Sequence, residues 1–452
     1  MIVADLALLP GGWARDVRVT LRGDRIAAVE EGARPRPKDA RVGALLPAPS
    51  NLHSHAFQRA MAGMTERRSA GRDSFWTWRE TMYRFTARLS PDQVEAIAAL
   101  AFMEMQEAGF AAVAEFHYLH HAPGGAPYDD PAELSARICA AAARTGIGLT
   151  LLPVLYARGG AGGRPLAPAQ RRFGTGPDAY ARLLEGARAA ARGLPADTVV
   201  GIAPHSLRAV TPDDLARALP LAAGGPVHIH VAEQPREVDE IRAALGARPV
   251  EWLLANAPVD AGWCAVHATH MTADERRGLA STGAVAGLCP VTEANLGDGP
   301  FDGPGWRAAG GAFGLGSDSN VRISLVEEMR TLEYGQRLRD LSRCAMAGDD
   351  GSTGEAIFLG AAAGGARALG RPAGRIAPGL LADLMAIDLG HPALCALGSG
   401  QILDGLAFAA PDAVVTDVWS AGRHRVRGGR HVAREAIVTA WRRVAAELAA
   451  DA

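Results

Sequence analysis

Short apolar runs alternate with alanine-rich stretches of helical character through the middle of this 452-residue chain. The apolar runs fall at 111–116, 148–155, 199–204, 226–232, 264–268, 284–289 and 312–316, and helical patterns such as 91–108 and 131–145 separate them. Strands that alternate with helices imply a parallel sheet. About eight such units over some 330 residues predict a (β/α)8 TIM-like barrel. In such barrels the site sits at the C-terminal strand ends.

The two ends of the chain read differently. Val17-Arg18-Val19-Thr20-Leu21-Arg22 and Arg25-Ile26-Ala27-Ala28-Val29 flank Gly23-Asp24 as a β-hairpin. Alternating runs return at 382–388, 413–418 and 426–430, before an amphipathic helix from about Arg434. Residues 1–46 and 375–452 are therefore expected to join as one small β domain, with 47–374 as the barrel. The glycine-rich stretch 159–163 reads as a mobile loop.

Composition narrows the function classes. A net charge of −2 gives no global attraction to nucleic acid or to an acidic membrane. No stretch offers the run of apolar residues that a membrane span requires, and the N-terminus lacks the features of a signal peptide. Five scattered cysteines suit reduced thiols in a cytoplasm better than a disulfide framework. Lys38 is the only lysine and precedes every candidate site residue. No lysine is thus placed to become a metal-bridging carbamate, which favours one metal over a bridged pair.

The chemistry concentrates in a few polar patches. His53-Ser54-His55 and His228-Ile229-His230 each put two imidazoles on one face of a strand, because strand side chains alternate. His53 and His55 are read as the first two metal ligands. His230 is preferred over His228 as the third, because Glu233 lies three residues on, placed to carry a proton. Asp318, after the apolar run at 312–315, is the fourth. His267, at a strand end, is favoured over His270 for a role beside the metal. Neutral imidazoles with one carboxylate suit zinc or another divalent ion. An open position on such an ion supplies hydroxide near neutral pH.

These patches, with Leu46-Pro47-Ala48-Pro49-Ser50-Asn51-Leu52 before the first and Gly379-Leu380-Leu381-Ala382-Asp383-Leu384 in the tail, resemble the amidohydrolase superfamily over essentially the whole chain. The resemblance implies a metal-dependent barrel with a small β-sandwich built from both termini, and a homodimer. Further segments narrow it: His55-Ala56-Phe57-Gln58-Arg59-Ala60, the aromatic 74–80 stretch, Glu115-Phe116-His117-Tyr118, His205-Ser206-Leu207-Arg208 and the 289–299 run. They are most similar to the branch that deiminates formimino-glutamate in histidine degradation. That branch implies N-formimino-L-glutamate as a dianionic substrate, with N-formyl-L-glutamate and ammonia as products. Arg208 and Arg79 would bind its carboxylates, helped by Tyr118, Gln58 and His205. Asp318 and His267 would deprotonate and orient the attacking water, and Glu233 would protonate the substrate nitrogen and then the leaving group. Arginine forks match carboxylates bidentately, which agrees with this assignment. The 74–80 stretch would be a lid or a dimer contact.

Two other readings compete. A deaminase of a nucleobase or nucleoside-like ring, such as guanine, cytosine or S-adenosylhomocysteine, would lack paired carboxylate-binding arginines. An assembly protein derived from such a barrel would have lost metal ligands, and this chain keeps them.

Overall fold

The computed structural model describes residues 1–67 and 73–450. Eight parallel segments form the barrel: Ser50–Ser54, Ala112–His117, Gly148–Leu155, the split strand Val199–Val200 with Ala203–Pro204, Val227–Val231, Trp263–His267, Val285–Leu288 and Ala312–Leu315. Isolated bridges join the two halves, Ile202 to Val227 and Ser206 to His230, and the last strand to the first, Ser54 to Asp318. Most residues of these strands are buried. Burial on both faces explains why they read as continuous apolar runs rather than alternating ones.

Helices cover the outside. Six of them, among them Pro91–Glu107, Pro177–Ala191, Pro212–Ala218 and Pro235–Leu245, begin with proline, whose missing N–H costs nothing at that position. Ser90 caps the first of these by accepting from Gln93 N, and Thr272 caps Ala273–Ser281 in the same way. Thr353–Ala368 packs so closely on the last barrel strand that a Cβ at Gly364 would lie 1.8 Å from the Phe313 carbonyl oxygen. Its run of alanine and glycine is what permits that approach. The 159–163 stretch closes on itself, with Gly159 N–H donating to Arg164 O at 2.7 Å. Among the described residues no helix is long and apolar enough to cross a membrane.

Both termini build one mixed sheet of eight strands, Arg430–His431, Arg423–Arg427, Val415–Ser420, Leu384–Ile387, Ala40–Pro47, Ile2–Leu9, Gly12–Arg22 and Arg25–Glu30 in spatial order. The edge strand Arg25–Glu30 hydrogen-bonds back to Leu380 and Gly379, just before Leu384–Ile387. The sheet therefore wraps on itself, in place of two separate sheets. It encloses a core that includes Val17, Val19, Ile26, Leu45, Ile376, Leu384 and Trp419.

A buried charge network ties this sheet to the barrel. Arg371 Nη2 lies 3.0 Å from both Asp197 Oδ2 and Asp383 Oδ2, and Arg423 Nη1 lies 2.7 Å from Asp197 Oδ1. Asp383 also accepts from Ala421 N–H at 2.6 Å. Burial works to raise the Asp197 pKa, but Arg423 and Arg371 outweigh it and hold it below the usual carboxylate value. A depressed carboxylate pKa stabilises the fold above the unfolded value and loses that contribution as pH falls. Asp197→Ala should thus lose about 3 kcal/mol near neutral pH, because it leaves buried arginines short of a partner. Denaturant unfolding of parent and variant should show the gap closing below about pH 4. A gap that does not change with pH would mean Asp197 contributes by packing alone.

Candidate metal centre and substrate cavity

The closure of the barrel creates the centre. Asp318 N–H donates to His53 O, and His55 N–H donates to Asp318 O, both at 2.9 Å. Gly316 makes this approach possible, since a Cβ there would lie 2.8 Å from His53 N. A buried chain of side-chain bonds holds the two strand ends in register: Asn51 Nδ2 to Ser317 Oγ at 2.6 Å, Ser317 Oγ to Asn320 Oδ1 at 2.6 Å, and Asn320 Nδ2 to Ser54 Oγ at 3.1 Å. This chain gives a reason for the polar residues that surround both motifs. Ala232, His267 and Asp318 all adopt positive φ, at 51°, 65° and 44°. Such conformations cost energy outside glycine and cluster at functional sites. Here they turn the chain at strand ends that face the barrel mouth.

Four donor atoms converge. His53 Nε2 lies 3.2 Å from His55 Nε2, 3.0 Å from His230 Nε2 and 3.5 Å from Asp318 Oδ1, and His55 Nε2 lies 3.3 Å from the same oxygen. All four groups are buried, and their donor atoms lie within 4.8 Å of one another. Ligands at zinc–nitrogen distances of about 2.0–2.1 Å would be separated by roughly 3.3 Å in a tetrahedron. His55 Nδ1 faces the Phe116 carbonyl at 2.9 Å, and His230 Nδ1 faces the His205 carbonyl at 3.0 Å. A carbonyl accepts only, so both Nδ1 atoms carry hydrogen and both Nε2 atoms present lone pairs inward. Burial also holds His53, His55 and His230 well below the usual imidazole pKa, hence neutral. The inward lone pairs of His55 and His230, with His53 Nε2 and an Asp318 oxygen beside them, form a donor set that fits a divalent metal ion.

His228 does not join them. Its Nε2 is engaged by the Ala368 carbonyl at 2.7 Å, deeper in the barrel. His270 also points elsewhere, to Asp298 O at 2.9 Å. His267 sits beside the cluster, with Nε2 3.8 Å from Asp318 Oδ2 and 3.8 Å from Glu233 Oε1. Burial alone would lower its pKa, but Glu233, the hydrogen bond His267 donates to Glu293, and Asp318 together push it up to about 10.

A cavity opens from this cluster. His55, Gln58, Arg79, Tyr118, His205, Arg208, His230, Glu233, His267 and Asp318 all line it, so every residue given a metal, catalytic or substrate role in the sequence except the deeper His53 faces one space. Gln58 Nε2 donates to the Tyr118 hydroxyl at 2.7 Å. The 74–80 stretch forms the first half of the helix Phe75–Thr86, which places Phe75, Trp78, Arg79 and Tyr83 over the cavity. Trp76 stands between two guanidinium groups, Arg79 at 4.6 Å and Arg236 at 4.2 Å from its ring centre. Arg79 Nε is buried without a hydrogen-bond partner. Arg208 already has partners, with Nη2 3.3 Å from Glu233 Oε2 and Nε 3.7 Å from Glu237 Oε1.

Sequence reasoning missed several of the groups gathered here. Tyr156 lines the cavity just past the end of Gly148–Leu155, where the strand-end rule would have pointed to it. Glu237 follows Glu233 by one helical turn and accepts its N–H at 3.0 Å. Glu293 lies in the quoted 289–299 run, yet nothing local in that run signals its contact with His267.

Comparison with known proteins agrees with this geometry. Residues 44–425 match the Amidohydrolase family, and residues 1–43 match the family described as Formimidoylglutamate deiminase HutF, N-terminal domain. The formimidoylglutamate deiminase of Pseudomonas aeruginosa is 51% identical over 452 residues, covering 99% of each chain. A 5-methylthioadenosine/S-adenosylhomocysteine deaminase of Natronomonas pharaonis is 30% identical over 420 residues, which is 91% of this chain and 86% of the relative. The crystal structure of an amidohydrolase from Brucella melitensis superposes with a TM-score of 0.94 at 48% identity, with 99% of each chain covered. The fold is thus shared over the whole chain, and the chain belongs to the amidohydrolase family.

Proposed function

We propose that this enzyme hydrolyses N-formimino-L-glutamate to N-formyl-L-glutamate and ammonia, a step of histidine degradation. The observation that carries the reading is the pair Arg79 and Arg208, which line one cavity with the donor cluster. A substrate with two carboxylates needs such cations, and a neutral ring does not. The full-length similarity to the Pseudomonas aeruginosa deiminase supports the same choice over the nucleoside deaminases.

His53, His55, His230 and Asp318 would hold one divalent ion, and three imidazoles with a carboxylate suit zinc. Bound there, the ion supplies the Lewis acidity that makes hydroxide available near neutral pH. His267 donates to the attacking water and orients it, and Asp318 takes up the water proton. The water oxygen bonds to the formimino carbon while that proton, relayed through Glu233, reaches the imino nitrogen. The remaining hydroxyl proton follows the same route through Asp318 and Glu233, so that nitrogen leaves as ammonia and the carbon–oxygen double bond of the formyl group forms. Arg79 and Arg208 grip the carboxylates, with Gln58, Tyr118 and His205 aligning the chain between. The same reading gives catalysis to residues 47–374 and support to 1–46 with 375–452. It also includes a homodimer and a cytoplasmic location, where the five cysteines stay reduced.

Glu233→Gln should retain about one metal ion per chain yet lose at least about a hundredfold in kcat, the scale for removing a general acid–base group. Loss of the metal in that variant, measured by elemental analysis, would make Glu233 a structural or ligating residue instead.

Arg79 gives the cleaner test of substrate class. Arg208 also pairs with Glu233, so its removal disturbs proton transfer as well. Arg79 has no ion-pair partner among the described residues. Arg79→Met should lower kcat/KM for formimino-glutamate by roughly 2–4 kcal/mol, with metal content unchanged. Lysine there should restore only part, since an ammonium lacks the planar fork. Near-normal kcat/KM in Arg79→Met would remove the carboxylate clamp from the account.

A further inference from the structure

His267 has two ring nitrogens with different surroundings. Nε2 faces Asp318 and Glu233 at the cavity, each at 3.8 Å. Nδ1 faces away from it and meets Glu293 Oε1 at 3.1 Å. The mechanism leaves Glu293 without a part. We propose that Glu293 is a positioning residue that fixes the His267 ring, holding hydrogen on Nδ1 and presenting Nε2 to the reacting water.

The arrangement around Glu293 is that of a fixed support. The same Oε1 also accepts Cys289 N–H at 2.9 Å, so the carboxylate is anchored to the backbone at the start of its own helix, Pro290–Leu296. That helix is pinned in turn by Glu328, whose Oε2 accepts Val291 N–H at 2.9 Å from the helix Leu325–Asp340. Glu293 and Glu328 are both buried, at 4% and 0% exposure, so neither carboxylate is free to swing into solvent. A carboxylate accepts and cannot donate, so the ring nitrogen it faces must carry the hydrogen. His267 itself is held at positive φ, which already commits the backbone to one direction for the side chain. What remains is rotation of the ring, and Glu293 restrains it. A carboxylate behind a catalytic imidazole acts in this manner in hydrolases of unrelated fold.

The assignment rests on the proposed role of His267 beside the reacting water. Its test uses the metal-loaded full chain. Nitrogen-15 NMR of histidine-labelled protein, with His267 assigned through His267→Asn, should show hydrogen on Nδ1 in the parent and in Glu293→Gln. Glutamine keeps an acceptor oxygen where the carboxylate has one. Glu293→Ala should lose that single form and lower kcat by about 10- to 100-fold, the range for removing a hydrogen-bond partner of a site residue. KM and metal content should stay within about twofold of the parent, and Glu293→Gln should recover most of kcat. If Glu293→Ala does not fold, Glu293→Asp decides, since it keeps the charge but withdraws the oxygen. It should then be slower than Glu293→Gln. An unchanged His267 signal in Glu293→Ala, parent-like kcat in that variant, or Glu293→Asp matching the parent would overturn the proposal. A parent enzyme that releases no ammonia from formimino-glutamate would overturn the substrate reading, while the NMR arm still decides the role of Glu293.

Discussion

Three imidazole Nε2 atoms and one carboxylate oxygen converge to within a few ångströms of each other where the last barrel strand meets the first. A divalent cation between them would engage all four at once. Much of the surrounding structure serves to hold this arrangement. The paired backbone bonds between His53, His55 and Asp318 close the barrel at this point. The buried Asn51, Ser317, Asn320 and Ser54 satisfy one another and keep the two strand ends in register. Main-chain carbonyls behind His55 and His230 set which nitrogen faces inward.

Charge is segregated within the cavity. Glu233, His267 and Asp318 cluster beside the metal ligands, with Glu293 behind His267. Arg79 and Arg208 lie beside the aromatic rings of the helix Phe75–Thr86. Arg208 bridges the two regions through Glu233 and Glu237. Burial alone would lower its pKa, but Glu237 and Glu233 outweigh that and hold the guanidinium charged. A dianion entering such a cavity would meet cations with its carboxylates and proton carriers with its formimino end.

The barrel and the donor cluster were legible in the sequence because both depend on local periodicity. Buried parallel strands read as apolar runs, and a strand puts His53 and His55 on one face whatever lies around it. The choice of His230 over His228 followed from Glu233 nearby, and the Ala368 carbonyl that occupies His228 supplies the physical reason. Other features had no local signal. The contact between Glu293 and His267 joins a helix to the end of an earlier strand, the pairing of Arg208 with Glu233 and Glu237 joins two further segments, and neither leaves a spacing to read. The terminal strands were expected as a sandwich from resemblance. Their wrapping into one sheet depends on backbone bonds between Arg25–Glu30 and residues near 380, which no alternation pattern encodes.

The central claim is that a carboxylate-gripping cavity and a metal centre act together on a formimino group. Ammonia release by the metal-loaded enzyme, measured as kcat/KM on formimino-glutamate, guanine, cytosine and S-adenosylhomocysteine, tests it most directly. The account predicts turnover of formimino-glutamate at least about a thousandfold above the rings, the margin expected when buried cations are left unpaired by a neutral substrate. Comparable or faster release from any of the three rings would contradict it.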